Sequence, residues 1–353
     1  MHSNQVMSDF VPGFVPGLEL SRAYYTEVVK PILGETPHGA ALIGPGSEVL
    51  SFDTERSTDH DWGPRVLVFV APDLAEEIAA RLPGALPERF RGYPTAFGSD
   101  RNPVRHGVLV TGFGAWARSR LGFDPRGEIA TADWLGASWQ RLAEMTSGEV
   151  YHDGLGELGR ARENLRWYPP QVWRYVLACQ WRRIAQIESF PGRCGEVGDD
   201  LGSLLVTGRL VEELMRLSLL MRRRYPPYAK WLGSAFARLP GSAELGEAFA
   251  AALSARGWRD REEHLCRAYE RVAALHNRLA LTSPLDPSVR PYFDRPFRVI
   301  GAARFAEALL DAAGPEVGAL PPLGAVDQFC DSTDVLADAT RSLTLSRAVH
   351  IAA

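Results

Sequence analysis

ALIGPGSEVLSFDTERSTDHDWGPRVLVFV occupies residues 41–70 and holds two strand-like runs, Ala41–Ile43 and Arg65–Val70, joined by a turn and a polar segment. The turn is Gly44-Pro45-Gly46-Ser47. A strand passes sharply into a helix only through residues that tolerate unusual φ and ψ, and the two glycines supply that tolerance. The following segment has the length of a helix. Gly46 and Ser47 are therefore expected at its start, where free backbone N–H groups and a hydroxyl face an anion such as phosphate. The far end of the stretch carries Asp59-His60-Asp61. In an extended chain, side chains two apart share a face, which predicts Asp59 and Asp61 side by side with His60 pointing away. Paired carboxylates repel unless a cation lies between them, and their hard oxygens suit Mg2+ bridging the phosphates of a substrate.

Gly46-Ser47, eleven further residues, and then Asp59-x-Asp61 leading into a strand resemble the signature of the DNA polymerase β-like nucleotidyltransferase superfamily. With its helical second half, the chain is most similar to the kanamycin nucleotidyltransferase-like branch and to the bacterial proteins of unknown function grouped with it. The resemblance implies an α+β fold: a nucleotidyltransferase core with a short mixed sheet and flanking helices, followed by an all-α helical bundle. It implies Mg2+ on Asp59 and Asp61, ATP or another nucleoside triphosphate as substrate, and Gly46 and Ser47 at the β,γ-phosphates. It also implies a third carboxylate between two apolar residues of a later strand. Arg105–Thr111, RHGVLVT, reads as that strand, and its centre, Val108-Leu109-Val110, carries leucine. Either another acid takes over, or the site binds nucleotide with little or no catalysis.

The chain has 353 residues, 46% of them apolar and 23% charged, which is ordinary for a globular protein of about two domains. A net charge of −4 argues against a general nucleic-acid-binding surface. The four cysteines, Cys179, Cys194, Cys266 and Cys330, form no Cys-x-x-Cys pair and read as buried thiols of a reducing compartment. No apolar run is long enough to span a bilayer and no leader is evident at the N-terminus, so a cytoplasmic location is expected.

Taken in order, residues 1–17 carry a tandem Phe-Val-Pro-Gly and read as an extended arm. Leu18–Leu33 has helical spacing, with Pro31 as a kink or stop, and Pro72–Leu82 is a second helix ended by Pro83-Gly84. Residues 85–103 form a loop or irregular hairpin. From Ala132 onward the pattern is helical. Gln171–Glu188 sets Trp173, Leu177, Trp181 and Ile184 on one stripe, which Glu188 continues. There Glu188 is either a general base with a raised pKa or a helix-end cap or salt bridge. Asp199 and Asp200 read as N-caps of a long helix bearing Leu210, Leu214, Leu217 and Met221. Arg222–Trp231, RRRYPPYAKW, is a basic and aromatic cluster at a helix end. Lys230, with Arg224, is a candidate phosphate contact; the competing role is a C-terminal cation complementing the helix dipole. Ala243–Leu279 gives two helices broken near Gly257, in which His264 and His276 read as structural. Ser283–Pro296 is a Pro-rich connector before helical segments at Val299–Ala313 and Thr333–Val349. Asp327, Asp331 and Asp334 read as turn and cap residues.

The expected division is a catalytic core at 18–130, a helical bundle at 131–285 and a helical extension at 286–353. The expected activity is metal-dependent transfer of a nucleoside monophosphate, AMP from ATP, to a hydroxyl of a small molecule or protein. The alternative is a nucleotide-binding regulator of the same fold, and a template-using polymerase is disfavoured. Nucleotide and acceptor are the partners expected, without nucleic acid or membrane, and a homodimer is left open.

Overall fold

The computed structural model describes residues 13–98 and 103–350, so most of the expected N-terminal arm lies outside the described residues. The chain is α+β and divides into two compact units: one runs to Glu128 and includes Glu144–Arg166, and the other comprises Ile129–Ala143 and the chain from Trp167. The first unit therefore takes back a segment from beyond the expected boundary near residue 130. The residues at 286–353 belong to the second unit.

The sheet of the first unit has four strands, β1 (Gly39–Leu42), β2 (Val66–Phe69), β3 (Val108–Thr111) and β4 (Glu149–Asp153), in the order β3-β2-β1-β4. It is mixed: β1 runs antiparallel to β2 and to β4, whereas β2 and β3 are parallel. Alternation decides which face is buried. Val66, Val68, Val70, Val108 and Val110 turn to a core shared with Leu20, Tyr24 and Val29 of the N-terminal helical segment and with Ile78 and Leu82. On the opposite face Phe69 packs edge-on against Phe113 and Trp116, at ring distances of 5.2 and 5.3 Å. The N-terminal helix Gly17–Tyr24 passes into a π-helical turn, Tyr25–Val29, just before Pro31, which has no N–H to give to residue 27. The expected strand 105–111 is two pieces: Arg105–His106 pairs with Ala96–Phe97, and Val108–Thr111 enters the sheet after Gly107, whose α-carbon lies against the Pro64 carbonyl.

The second unit is built on the helix Pro170–Ile187, whose Trp181 stacks on Phe305 of the helix Ala303–Ala313 at 4.5 Å. Trp181 Nε1 donates to His276 Nδ1 at 3.2 Å, and burial drives the His276 pKa down to about 4, in keeping with a neutral structural histidine. The break expected near Gly257 falls between the helices Ala243–Ser254 and Trp258–Arg278. The Pro-rich connector instead contains a two-stranded ladder, Arg290–Tyr292 with Arg295–Val299. Asp199 caps the helix Asp200–Met221 by accepting from the Gly202 N–H at 2.8 Å, while Asp200 pairs with the buried Arg261. Cys179 and Cys266 are buried, with burial pushing each thiol up to about 12, whereas Cys194 and Cys330 are only half-buried. Among the described residues no helix is long and apolar enough to cross a membrane.

Glu188 is not a free base. It is the C-terminal cap of Pro170–Ile187, and its carboxylate accepts from the N–H groups of Ile300, Gly301 and Ala302 at 3.0, 3.1 and 3.1 Å. Those groups lead into the helix Ala303–Ala313, so the carboxylate caps the start of that helix, while the Glu188 backbone N–H closes the end of Pro170–Ile187 on the Ile184 carbonyl at 2.8 Å. Burial raises its pKa to about 7 from an ordinary 4.5, against the lowering pull of the three N–H groups and of Arg304. The folded state thus holds a proton that the unfolded chain has lost, and this contribution to stability is present below about pH 4.5 and lost as pH rises through 7. Glu188→Ala strands three buried donors and is expected to cost about 3 kcal/mol in urea unfolding. Glu188→Gln removes the titration. The stability of the natural chain relative to this variant should fall by up to about 3 kcal/mol between pH 5 and pH 8, and a parallel pair of profiles would contradict the assignment.

Candidate functional site

The candidate site lies at one end of the first unit's sheet. Antiparallel register sets Ala41 opposite Leu67, so the chain leaving β1 and the chain entering β2 are neighbours at that end. The glycine turn follows the first and Asp59-His60-Asp61 precedes the second, which brings both halves of the sequence signature to the same edge. Arg65 ties them together. Its guanidinium Nη2 donates to the Pro45 carbonyl at 2.9 Å and forms an ion pair with Glu48, whose side chain is buried. Gly46, with φ of +148°, lies directly against this pair, and a β-carbon there would stand 2.7 and 2.8 Å from the Glu48 carboxylate oxygens. The glycine is required by close approach rather than by the start of a helix.

No helix follows the turn. Ser47–Ser51 is a turn closed by the Phe52 N–H on the Ser47 carbonyl at 2.8 Å, and the only regular piece before β2 is a short 3-10 helix, Glu55–Asp59. The helix-dipole cradle expected for phosphate at Gly46 and Ser47 is therefore replaced by a non-helical turn. The side chains of this connection account for the difference. Asp53 accepts from the Gly17 N–H at 2.7 Å and from Trp62 Nε1 at 3.4 Å, while the Thr54 N–H donates to Ser57 Oγ at 3.0 Å. Such local and capping bonds compete with helix formation.

Asp59 and Asp61 are also placed differently from expectation, because neither lies on the strand. Asp59 ends the 3-10 helix and is hydrogen-bonded to His60 Nδ1 at 2.5 Å. Asp61 has left-handed backbone, φ of +49°, and its N–H donates to the Gly98 carbonyl at 3.3 Å. The two side chains consequently do not share a face by strand alternation. They flank an exposed histidine in the loop at the mouth of β2. Among the described residues no group of three or more His, Cys, Asp or Glu side chains is arranged to hold a metal. Leu109 sits opposite Leu67 in the parallel register of β2 and β3 and is 47% exposed, on the face away from the valine core.

Lys230 and Arg224 belong to the second unit. Lys230 is in the first turn of the helix Ala229–Ala237, with its ammonium 5.5 Å from the Trp231 ring centre. That position is the positive end of a helix, so complementing the dipole does not explain the lysine. Arg224 is exposed just past the helix Asp200–Met221, and its N–H closes on the Leu219 carbonyl at 3.0 Å. Between them Tyr225 is buried against Trp167 and Tyr168, at ring distances of 4.7 and 5.4 Å. Trp139 Nε1 donates to the Tyr168 hydroxyl at 3.0 Å, and the Trp139 N–H donates to Asp327 at 2.9 Å. Asp327 is thus a cap brought from a distant part of the chain, and burial raises its pKa to about 7.

A family model described as a domain of unknown function (DUF4037) matches residues 134–232. The matched segment carries this aromatic cluster together with Glu188, Arg224 and Lys230, and leaves out the turn and the Asp59–Asp61 loop. Comparison with curated proteins and with solved structures gives no match.

Sequence reasoning passed over Glu48 and Arg65. The available signal was their position, directly after Gly46-Ser47 and directly before the second apolar run. Arg65→Ala leaves a buried carboxylate without its cation and is expected to cost about 3 kcal/mol in urea unfolding. Replacing both partners by apolar residues, Glu48→Leu with Arg65→Met, should recover most of that loss. A single-variant loss below about 0.5 kcal/mol would show that the pair does not secure the turn.

Proposed function

We propose that the first unit is a nucleotide-binding core of the nucleotidyltransferase type, acting on Mg2+ and ATP or another nucleoside triphosphate. The observation that carries this reading is the juxtaposition at one end of a mixed sheet of the Gly44–Ser47 turn and the Asp59–Asp61 loop, tied by Arg65. The donor chemistry fits the metal: Asp59 is exposed and Asp61 half-exposed, and both offer hard carboxylate oxygens. Mg2+ is commonly held by one or two carboxylates, with phosphate oxygens and water completing its octahedral shell, so a preformed cage is not required. When bound, the ion would offset charge on the triphosphate. Asp59 and Asp61 would hold it, and backbone at Gly46 with the Ser47 hydroxyl would position the β,γ-phosphates. Phosphoryl transfer draws its acceleration from such positioning and charge stabilisation, and here the acceptor is a hydroxyl of a small molecule or protein. Glu188, both of whose oxygens accept from backbone N–H groups, is given no role in this reading.

A second reading, a nucleotide-binding regulator with little or no turnover, is favoured by Leu109. It occupies the position where the family resemblance calls for a third carboxylate, the group that would position a metal or accept the acceptor's proton.

With Mg2+ and α-labelled ATP against a broad pool of hydroxyl acceptors, the chain is expected to transfer label and release pyrophosphate. Asp59→Asn/Asp61→Asn should reduce this at least about 100-fold. Mg·ATP binding in calorimetry without turnover would select the regulator. Absence of both binding and turnover would contradict the nucleotide assignment altogether.

A further inference from the structure

From Leu214 to Ala243 the sequence has no Asp or Glu, and it carries Arg216, Arg222, Arg223, Arg224, Lys230 and Arg238. The net charge of −4 is an average over the chain, and this segment departs from it. Arg216 is paired with Glu212 at 2.7 Å. Among the described residues Arg222, Arg223, Arg224 and Lys230 have no ion-pair partner. They gather where the helix Asp200–Met221 ends and the helix Ala229–Ala237 begins. A third helix end adds Arg278, the last residue of Trp258–Arg278, which is exposed and equally without an ion-pair partner among the described residues.

Neighbouring cations with no acid between them repel. The Arg222 guanidinium reaches only neutral acceptors, the Pro240 carbonyl at 3.3 Å and the Ser218 carbonyl at 3.5 Å. Its pKa is lowered by burial and then by the charge of Arg278. Arg223 has left-handed backbone, φ of +54°, and lies over the Trp173 ring at 4.6 Å. Lys230 stands at the positive end of its helix, where the dipole opposes it. An anionic ligand would offset both the repulsion and the misplaced lysine. The cations are spread over three helix ends, which suits a chain of phosphates better than a single one. Tyr228, 42% exposed, stands edge-on to Trp231 at 4.7 Å beside Lys230 and offers a face for base stacking. It is the one exposed large hydrophobic side chain from Leu214 to Ala243 among the described residues, so nothing aliphatic is there to sink into a bilayer. We propose that this end of the second unit binds single-stranded nucleic acid through its phosphates and a stacked base. The surface lies wholly within the second unit and does not depend on the nucleotide chemistry of the first.

Fluorescence anisotropy of a labelled oligouridine of about 15 nucleotides, titrated with the full chain, tests this. The expected Kd is on the order of 10 µM at about 0.1 M salt, weakening at least about tenfold at about 0.3 M. Arg224→Glu/Lys230→Glu should weaken binding at least about tenfold with no loss of thermal stability, because both positions are exposed and glutamate suits the start of a helix. Tyr228→Ala should weaken oligouridine at least about fivefold and leave inorganic polyphosphate, which has no bases, unchanged. No binding up to about 100 µM, or binding indifferent to Arg224→Glu/Lys230→Glu, would overturn the proposal. So would a Tyr228→Ala effect that is absent or shared by polyphosphate, or binding to phosphatidylserine vesicles in place of the oligonucleotide.

Discussion

A single ion pair organises the part of the chain that carries the candidate chemistry. Glu48 is buried one residue past the Gly46-Ser47 pair, and without Arg65 it would be a desolvated carboxylate with no cation. Arg65 also holds the Pro45 carbonyl, so the glycine turn cannot move independently of the chain that enters β2. Gly46 has no side chain because the pair occupies the space where one would go. Fourteen residues of non-repetitive and 3-10 structure separate Ser47 from Trp62, yet their two ends are fixed at one edge of the sheet. Asp53 adds a second anchor by accepting from Gly17 and Trp62, which ties the middle of the connection to the first helix.

The second unit uses buried carboxylates in a different way. Glu188 and Asp327 each reach backbone N–H groups far away in sequence, and Glu213 is held between Arg183 and Gln180. Burial works to raise the Glu213 pKa, but the Arg183 guanidinium prevails and holds it below the ordinary range. Elevated pKa values are often read as signs of catalysis, and here Glu188 shows the alternative: a carboxyl can be raised by burial while both oxygens accept from backbone N–H groups at the start of a helix.

The apolar runs of β1, β2 and β3 were legible because strands buried on one or both faces must be apolar. Strand β4, EVYHD, was not, since it is an edge strand and its residues are only partly buried. The absent helix after Ser47 could not be read either, because what prevents it includes Asp53 bonding to Gly17, 36 residues away. The stripe through Trp173, Leu177, Trp181 and Ile184 was correct, and Glu188 does approach the packed side. Its partners, Ile300 to Ala302, come from more than 110 residues further on, so sequence spacing allowed a base or a cap and could not decide between them. For the candidate site, the residue types and the order of turn and acids were visible. The loop geometry of Asp59 and Asp61 was not, because it follows from a left-handed residue and a 3-10 turn rather than from strand alternation.

The central claim is that the Gly44–Ser47 turn and the Asp59–Arg65 segment form one nucleotide-responsive site. Hydrogen–deuterium exchange with and without Mg·ATP addresses it directly, since exchange reports local opening segment by segment. The account predicts that saturating Mg·ATP slows exchange in both segments together, and that Asp59→Asn/Asp61→Asn abolishes the effect in both. Protection of one segment without the other, or none in either, would contradict it.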